Sequence, residues 1–112
     1  MKLISKSVNG QIAFCPCQNV FHMEFGNLLL NLNYEELKRF SDYVRNIDYT
    51  HYLRLNKDSF NRRKLLLNIG ASKAYLCLSS SEFLELRELL ELKNNPRLLN
   101  NSDLINWELV LN

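Results

Sequence analysis

Apolar residues alternate with other residues in two segments of the chain, each interrupted by a glycine. The first segment, 21–32, alternates on both sides of Gly26, and the second, 65–78, alternates on both sides of a turn that begins at Gly70. A period of two is typical of strands with one buried face. Glycine between two such runs is typical of a tight turn. Each segment is therefore predicted to be a β-hairpin.

A helix is predicted directly after each hairpin. Asn33 with Glu36, and Ser79 with Glu82, have the spacing of a capping box, in which each partner satisfies a backbone N–H of the other. Apolar side chains then recur at helical spacing on one face of each helix. They are Leu37, Phe40, Tyr43 and Val44 in the first, and Phe83, Leu86, Leu89 and Leu90 in the second.

The two hairpin–helix units predict an internal duplication. Residues 11–15 ("QIAFC") and 49–55 ("YTHYLRL") are each predicted to add a strand before a hairpin. The fold class is then α+β: a βββα repeat present twice, forming one antiparallel sheet with two helices on one face. Repeat one covers about residues 11–47, repeat two covers about 49–93, and a C-terminal extension covers 96–112.

The extension is predicted to be either a short helix or an added edge strand, because periodicity does not separate the two in so short a run.

The 112 residues of the chain suit one domain. Charged residues make up 23% and the net charge is +2, which excludes long-range electrostatic capture as the main activity of the molecule. The N-terminus lacks the apolar run of a signal peptide, and no apolar run approaches the ~20 residues of a membrane span. We therefore expect a cytoplasmic protein whose three cysteines are reduced.

The strand register assigns a second set of side chains to the sheet face that points away from the helices. This face is half apolar, which predicts contact with a homodimer partner or with another protein. Coverage by the C-terminal extension is an equal alternative. The predicted contact residues are Val20, Leu29, Leu66, Tyr75 and Cys77, with Trp107 from the extension.

The stretch "FCPCQNVFH" gathers the reactive side chains. If residues 16–19 form a turn, Cys15 and His22 become diagonal neighbours, roughly 7–8 Å apart or less, and Cys17 can fold over them. Two thiols and an imidazole are ligands that zinc accepts. The spacing of one residue between the cysteines is unusual for zinc, and no fourth ligand is apparent. A turn with two reduced cysteines is the favoured interpretation, and a redox pair or a Cys–His nucleophile are the other two.

Three cations at the loop that precedes the second hairpin, Arg62, Arg63 and Lys64, form a candidate nucleic-acid contact. The nearly balanced charge favours a solvated loop instead. The glutamates of the second helix, spaced by three from Glu82 to Glu91, are predicted to form an exposed acidic stripe. No phosphate-binding loop, nucleophile elbow or zinc-protease motif occurs in the sequence, so no enzymatic activity is expected.

The segment "CPCQNVFHMEFGNLLLNLNYEELKRF" resembles a family of small uncharacterised bacterial proteins, in which a short cysteine pair precedes an "fHl.FGN..L.ls..Ef..f" stretch. The resemblance implies a small cytoplasmic bacterial protein and supplies no established activity. We therefore expect a non-enzymatic binding or regulatory module that acts through protein–protein contact and holds no cofactor. The alternatives are a zinc-binding module or a nucleic-acid contact protein.

Overall fold

The computed structural model describes residues 1–70 and 73–91. Within these residues the chain forms six strands and three helices, a mixture that confirms the α+β class. In chain order they are β1 (Lys2–Lys6), β2 (Gly10–Cys15), β3 (Val20–Phe25), β4 (Leu28–Leu32), α1 (Tyr34–Arg45), α2 (Tyr49–Leu55), β5 (Leu65–Asn68), β6 (Tyr75–Leu78) and α3 (Ser80–Leu89). No helix of this part of the chain is both long enough and apolar enough to cross a membrane.

The strands form two sheets, so the prediction of one sheet is wrong. β1, β2, β3 and β4 form a four-stranded sheet in that order, and β5 pairs with β6 in a separate two-stranded sheet. All neighbours are antiparallel, as predicted. Both predicted hairpins are present: His22 lies opposite Asn31 in the first, and Leu66 lies opposite Cys77 in the second.

The strand predicted at residues 49–55 is wrong, because this segment is helix α2. Asp48 is its N-cap, and the Asp48 carboxylate accepts a hydrogen bond from the backbone N–H of His51. Tyr49 and Leu53, four residues apart, both pack against the core. That spacing places them on one helical face. An effective cap and a single pair at helical spacing therefore outweigh the alternation that indicated a strand.

Strand β1 lies outside the predicted elements, and it leaves the two halves of the chain with different orders. The first half runs ββββα, and the second runs αββα. Both contain a hairpin followed by a capped helix, which is the part of the predicted repeat that the structure contains. The duplication itself stays a prediction. The C-terminal extension, with Trp107, lies outside the described residues.

Both capping boxes are confirmed in detail. The Asn33 side chain accepts from the Glu36 N–H at 2.8 Å, and the Asn33 N–H donates to the Glu36 carboxylate at 2.9 Å. Ser79 and Glu82 make the same exchange at 3.2 and 2.8 Å. Each box satisfies two backbone N–H groups at a helix start, so both α1 and α3 begin where the sequence predicts.

The core lies between one face of the four-stranded sheet and helices α1 and α3. Alternate side chains of β2 and β3 enter it, and the register places them on the same face. Helix α3 buries its whole predicted face in this cluster. Helix α1 buries Leu37 and Val44 there and packs Phe40 against it, whereas the predicted Tyr43 is 39% exposed. Its fully buried large side chains are Ile12, Phe21, Met23, Val44, Leu65, Leu67, Phe83, Leu86 and Leu89. The alternate side chains of these strands point to the opposite face of the sheet, away from this core.

Candidate functional site

The turn between β2 and β3 brings two thiols together. Cys15 ends β2 opposite Val20, and residues 16–19 form the turn, as predicted. Asn19 completes it with a φ of +57°, a left-handed conformation that asparagine tolerates better than most residues. The Sγ atoms of Cys15 and Cys17 lie 3.1 Å apart, and both cysteines are free. Cys15 is buried and Cys17 is exposed, so the pair stands at the surface with one thiol anchored in the sheet.

This contact makes the two thiols differ in acidity. The pKa of Cys15 is lowered, first because the Cys17 side chain hydrogen-bonds to it and next because the backbone N–H of Gln18 does so. The pKa of Cys17 is raised, chiefly because of its hydrogen bond to Cys15 and then because of the negative charge there. Cys15 is therefore the thiol of the pair that ionises first, and thiolates are the reactive and metal-binding form of cysteine.

His22 shares the sheet face of Cys15 but bonds to another partner. Its ring lies between Ala13 of β2 and Asn31 of β4 in the strand register. The Nδ1 atom of His22 lies 2.5 Å from Oδ1 of Asn31, where a protonated Nδ1 donates. Among the described residues, no three His, Cys, Asp or Glu side chains are grouped closely enough to hold a metal ion. The structure thus brings Cys15 and Cys17 together without His22.

The outward face is the face of the four-stranded sheet that points away from α1 and α3. It mixes apolar and polar side chains, and two leucines stand out on it: Leu29 is 54% exposed and Leu3 is 40% exposed. Val20, which shares this face, is half-buried. By register the outward face consists of Leu3, Lys6, Gln11, Ala13, Cys15, Val20, His22, Glu24, Leu29 and Asn31. The predicted contact residues Val20 and Leu29 therefore lie on one surface.

The other predicted contact residues lie on the second sheet. Leu66 of β5 is half-buried, whereas Tyr75 and Cys77 of β6 are exposed. Because β5 and β6 pair only with each other among the described strands, these residues do not continue the outward face through a shared sheet. Trp107 lies outside the described residues. The contact surface predicted from the sequence is thus divided between two sheets.

Two of the three cations in the predicted nucleic-acid contact bind acceptors of the chain itself. Arg63 donates through Nε to the Glu82 carboxylate at 2.8 Å. Lys64 donates through Nζ to the Ser59 carbonyl oxygen at 2.6 Å. Arg62 is exposed. These bonds within the chain compete with phosphate binding by Arg63 and Lys64.

Glu85 is an organising residue that the sequence interpretation missed. Its carboxylate accepts hydrogen bonds from the Ser7 hydroxyl at 2.5 Å, from the Asn9 backbone N–H at 2.8 Å and from the Asn9 side chain at 2.8 Å. These bonds tie the β1–β2 turn to α3. The prediction of a uniformly exposed acidic stripe is therefore wrong, because Glu82 and Glu85 are half-buried and bonded. No local pattern signals a contact across 76 residues of sequence.

We expect the Glu85→Gln variant to lose about 1–2 kcal/mol of unfolding free energy at pH 7. The Ser7 hydroxyl, followed by the Asn9 N–H, lowers the pKa of Glu85 below its ordinary value of 4.5. A lowered pKa in the folded state stabilises the fold above the ordinary pKa, and this stabilisation is lost as the pH falls through the folded-state pKa. Urea unfolding at pH 7 and at acidic pH measures the effect.

The matched control is Glu88→Gln, which removes an exposed carboxylate from the same helix. Its unfolding free energy should follow the wild type at both pH values. A Glu85→Gln deficit that is equally large at neutral and acidic pH would show that the charge of Glu85 is not the stabilising feature.

One of three comparisons with known proteins gives a match, and it assigns no activity. A family model described as "Family of unknown function (DUF6686)" matches residues 1–112. No curated protein and no solved structure gives a significant match.

Proposed function

We propose that this chain, which belongs to the DUF6686 family of unknown function, is a non-enzymatic binding module that acts through protein–protein contact at its outward face. The observation that carries the proposal is the exposure of Leu29 and Leu3 on that face. The solvated face of an antiparallel sheet is normally polar, and exposed apolar side chains on such a face are typical of contact sites. Leu3 lies on edge strand β1 and Leu29 on edge strand β4, so a contact that covers both spans the width of the sheet.

A second copy of the chain is the partner that the charges of this face suit best. Lys6 and Glu24 are both exposed and lie in one cross-strand row, with Gln11 between them. In a two-fold contact the same surface meets itself, so the cation of each copy is able to face the carboxylate of the other. The net charge of +2 adds little repulsion between two copies.

The size of the face predicts a weak association. Four strands of five or six residues span roughly 20 by 20 Å, or about 400 Å², at usual strand spacings. Stable interfaces bury about 800 Å² on each partner. We therefore expect a dimer that forms in the micromolar to millimolar range rather than an obligate one.

Leu29→Lys is expected to weaken the self-association at least about tenfold, because burial of a leucine contributes about 1.5–3 kcal/mol and a two-fold contact loses it twice. Leu55→Lys is the matched control, since Leu55 is 65% exposed but lies on α2, away from the outward face. Sedimentation equilibrium over a concentration series measures both variants against the wild type.

Leu29 and Leu55 are similarly exposed, so comparing their variants separates the outward face from the surface of α2 as the site of contact. Circular dichroism of both variants should match the wild type, because each substitution is at the surface. Equal weakening by Leu29→Lys and Leu55→Lys would contradict a contact through the outward face. So would a wild-type mass that shows no dependence on concentration.

Zinc binding by the Cys15–Cys17 pair is the second candidate function. The 3.1 Å separation of the two sulfurs favours it, because both are ligands that zinc accepts. Zinc normally takes four ligands, so His22 would have to turn from Asn31, or further ligands would have to come from another copy. A metal that is retained by Cys77→Ser but lost from Cys17→Ser, measured as zinc per chain, would support this alternative.

A further inference from the structure

We propose that Cys15 and Cys17 form a reversible dithiol–disulfide pair, which closes by thiol–disulfide exchange with a small-molecule or protein disulfide. This goes beyond the binding function and rests on different atoms. The two Sγ atoms lie 3.1 Å apart as free thiols. A disulfide bond is about 2.05 Å long, so closure requires the sulfurs to approach by about 1 Å.

The turn provides both the proximity and the access that exchange requires. Cys15 is fixed by strand pairing with Val20, and the backbone N–H of Gln18 hydrogen-bonds to its sulfur. Cys17 stands exposed in the four-residue turn, where a bulky disulfide can reach it. Cys17 belongs to the turn and not to the ladder, which runs from Gly10 to Cys15, so the turn is the part expected to adjust on closure.

The exchange balances without a metal or an enzyme-bound oxidant. One thiol of the pair loses its proton, and the thiolate attacks a sulfur of the partner disulfide. This step forms a mixed disulfide and releases the first partner sulfur as a thiolate, which takes up the proton. The second thiol then loses its proton and attacks the mixed disulfide. The bond between Cys15 and Cys17 forms, the second partner sulfur leaves as a thiol, and two electrons have passed to the partner.

Cys77 provides an internal comparison within the same chain. It is exposed and free, and it lies on β6 rather than in the β2–β3 turn. A single thiol of this kind can form a mixed disulfide but has no neighbour to resolve it. The difference expected between the pair and Cys77 is therefore in the product and not merely in the rate.

The test uses oxidised glutathione as the partner disulfide and intact mass as the measurement. In a Cys77→Ser protein, the expected product is a monomer lacking two hydrogens and carrying no glutathione, and dithiothreitol should restore it. The wild type should show the same loss together with one glutathione on Cys77. Adding Cys15→Ser to the Cys77→Ser protein should leave a stable glutathione adduct on the exposed Cys17, because no second thiol remains to displace the glutathione.

Peptide mapping of the oxidised wild type locates the bond without any substitution, which covers the case in which a Cys15 variant fails to fold. A Cys15–Cys17 crosslink in that map is the expected result. Accumulation of glutathione on both cysteines without a crosslink would overturn the proposal. It would also be overturned by a pair that stays reduced while Cys77 becomes modified. The Leu29→Lys protein should give the same products, because the exchange does not require self-association.

Discussion

Replacing Phe21 by alanine is expected to lower the free energy of unfolding by about 3–5 kcal/mol, the usual effect of removing a buried phenylalanine. Phe21 has no exposed surface, and its ring packs on that of Phe14 with centroids 4.7 Å apart. It belongs to β3, directly after the Cys15–Cys17 turn. A loss of this size is a large share of the about 5–15 kcal/mol that stabilises a typical domain. Urea unfolding followed by circular dichroism measures it.

Phe60→Ala is the matched control, because Phe60 is fully exposed in the loop before β5. Its unfolding free energy should stay within about 0.5 kcal/mol of the wild type. If Phe21→Ala and Phe60→Ala had similar effects, the arrangement of the β2–β3 hairpin over the core would be wrong, and with it the outward assignment of the alternate residues.

Gly10→Ala is expected to cost about 1–3 kcal/mol, because the added methyl group has no room. A Cβ atom at this position would lie 2.8 Å from the carbonyl oxygen of Glu24 and 2.8 Å from Cδ1 of Phe25. It would also lie 3.0 Å from Cδ2 of Leu89, at the end of α3. A backbone oxygen cannot move aside as a side chain can, so the β2–β3 ladder itself must shift.

Gly26→Ala separates this steric clash from backbone strain. Gly26 has a φ of +60°, but no atom lies within 4 Å of a Cβ placed there. The strain of a left-handed alanine is about 1–2 kcal/mol. Unfolding free energies of Gly10→Ala and Gly26→Ala test this, and a Gly10→Ala protein as stable as the wild type would contradict the close approach of Gly10 to the Glu24 carbonyl oxygen.

Local patterns predicted the elements whose determinants lie within a few residues. The capping boxes at Asn33 and Ser79 set the starts of α1 and α3, because both partners of each box are three residues apart. Alternation on either side of Gly26 set the β3–β4 register, since a two-residue turn fixes which residues face each other.

Longer-range features were not accessible to the same reasoning. Residues 49–55 alternate as a strand does, but Asp48 caps them as a helix. The ring of Tyr49 packs on the ring of Phe83 with centroids 5.5 Å apart, and Phe83 belongs to a distant part of the chain. The division into two sheets depends on which strand edges meet in space, and alternation within a strand carries no information about this.

The candidate site was predicted in part for the same reason. The turn at residues 16–19 follows from a proline and an asparagine between two alternating runs, so the proximity of Cys15 and Cys17 could be inferred. The hydrogen bond between His22 and Asn31 joins two strands. Whether the imidazole contacts this amide or the thiols depends on side-chain geometry, which the sequence pattern does not give. The link from Glu85 to Ser7 and Asn9 had no signal in the sequence at all.

Native mass spectrometry of the reduced wild-type protein, purified without chelator and measured over a concentration series, tests the central claim most directly. It reads the oligomeric state and any bound metal together. Association through the outward face predicts a metal-free dimer whose fraction rises with concentration, with an association constant that falls at least about tenfold in Leu29→Lys. A metal-free monomer at every concentration would contradict that claim, and a monomer with one zinc per chain would favour the zinc alternative at Cys15 and Cys17 in its place.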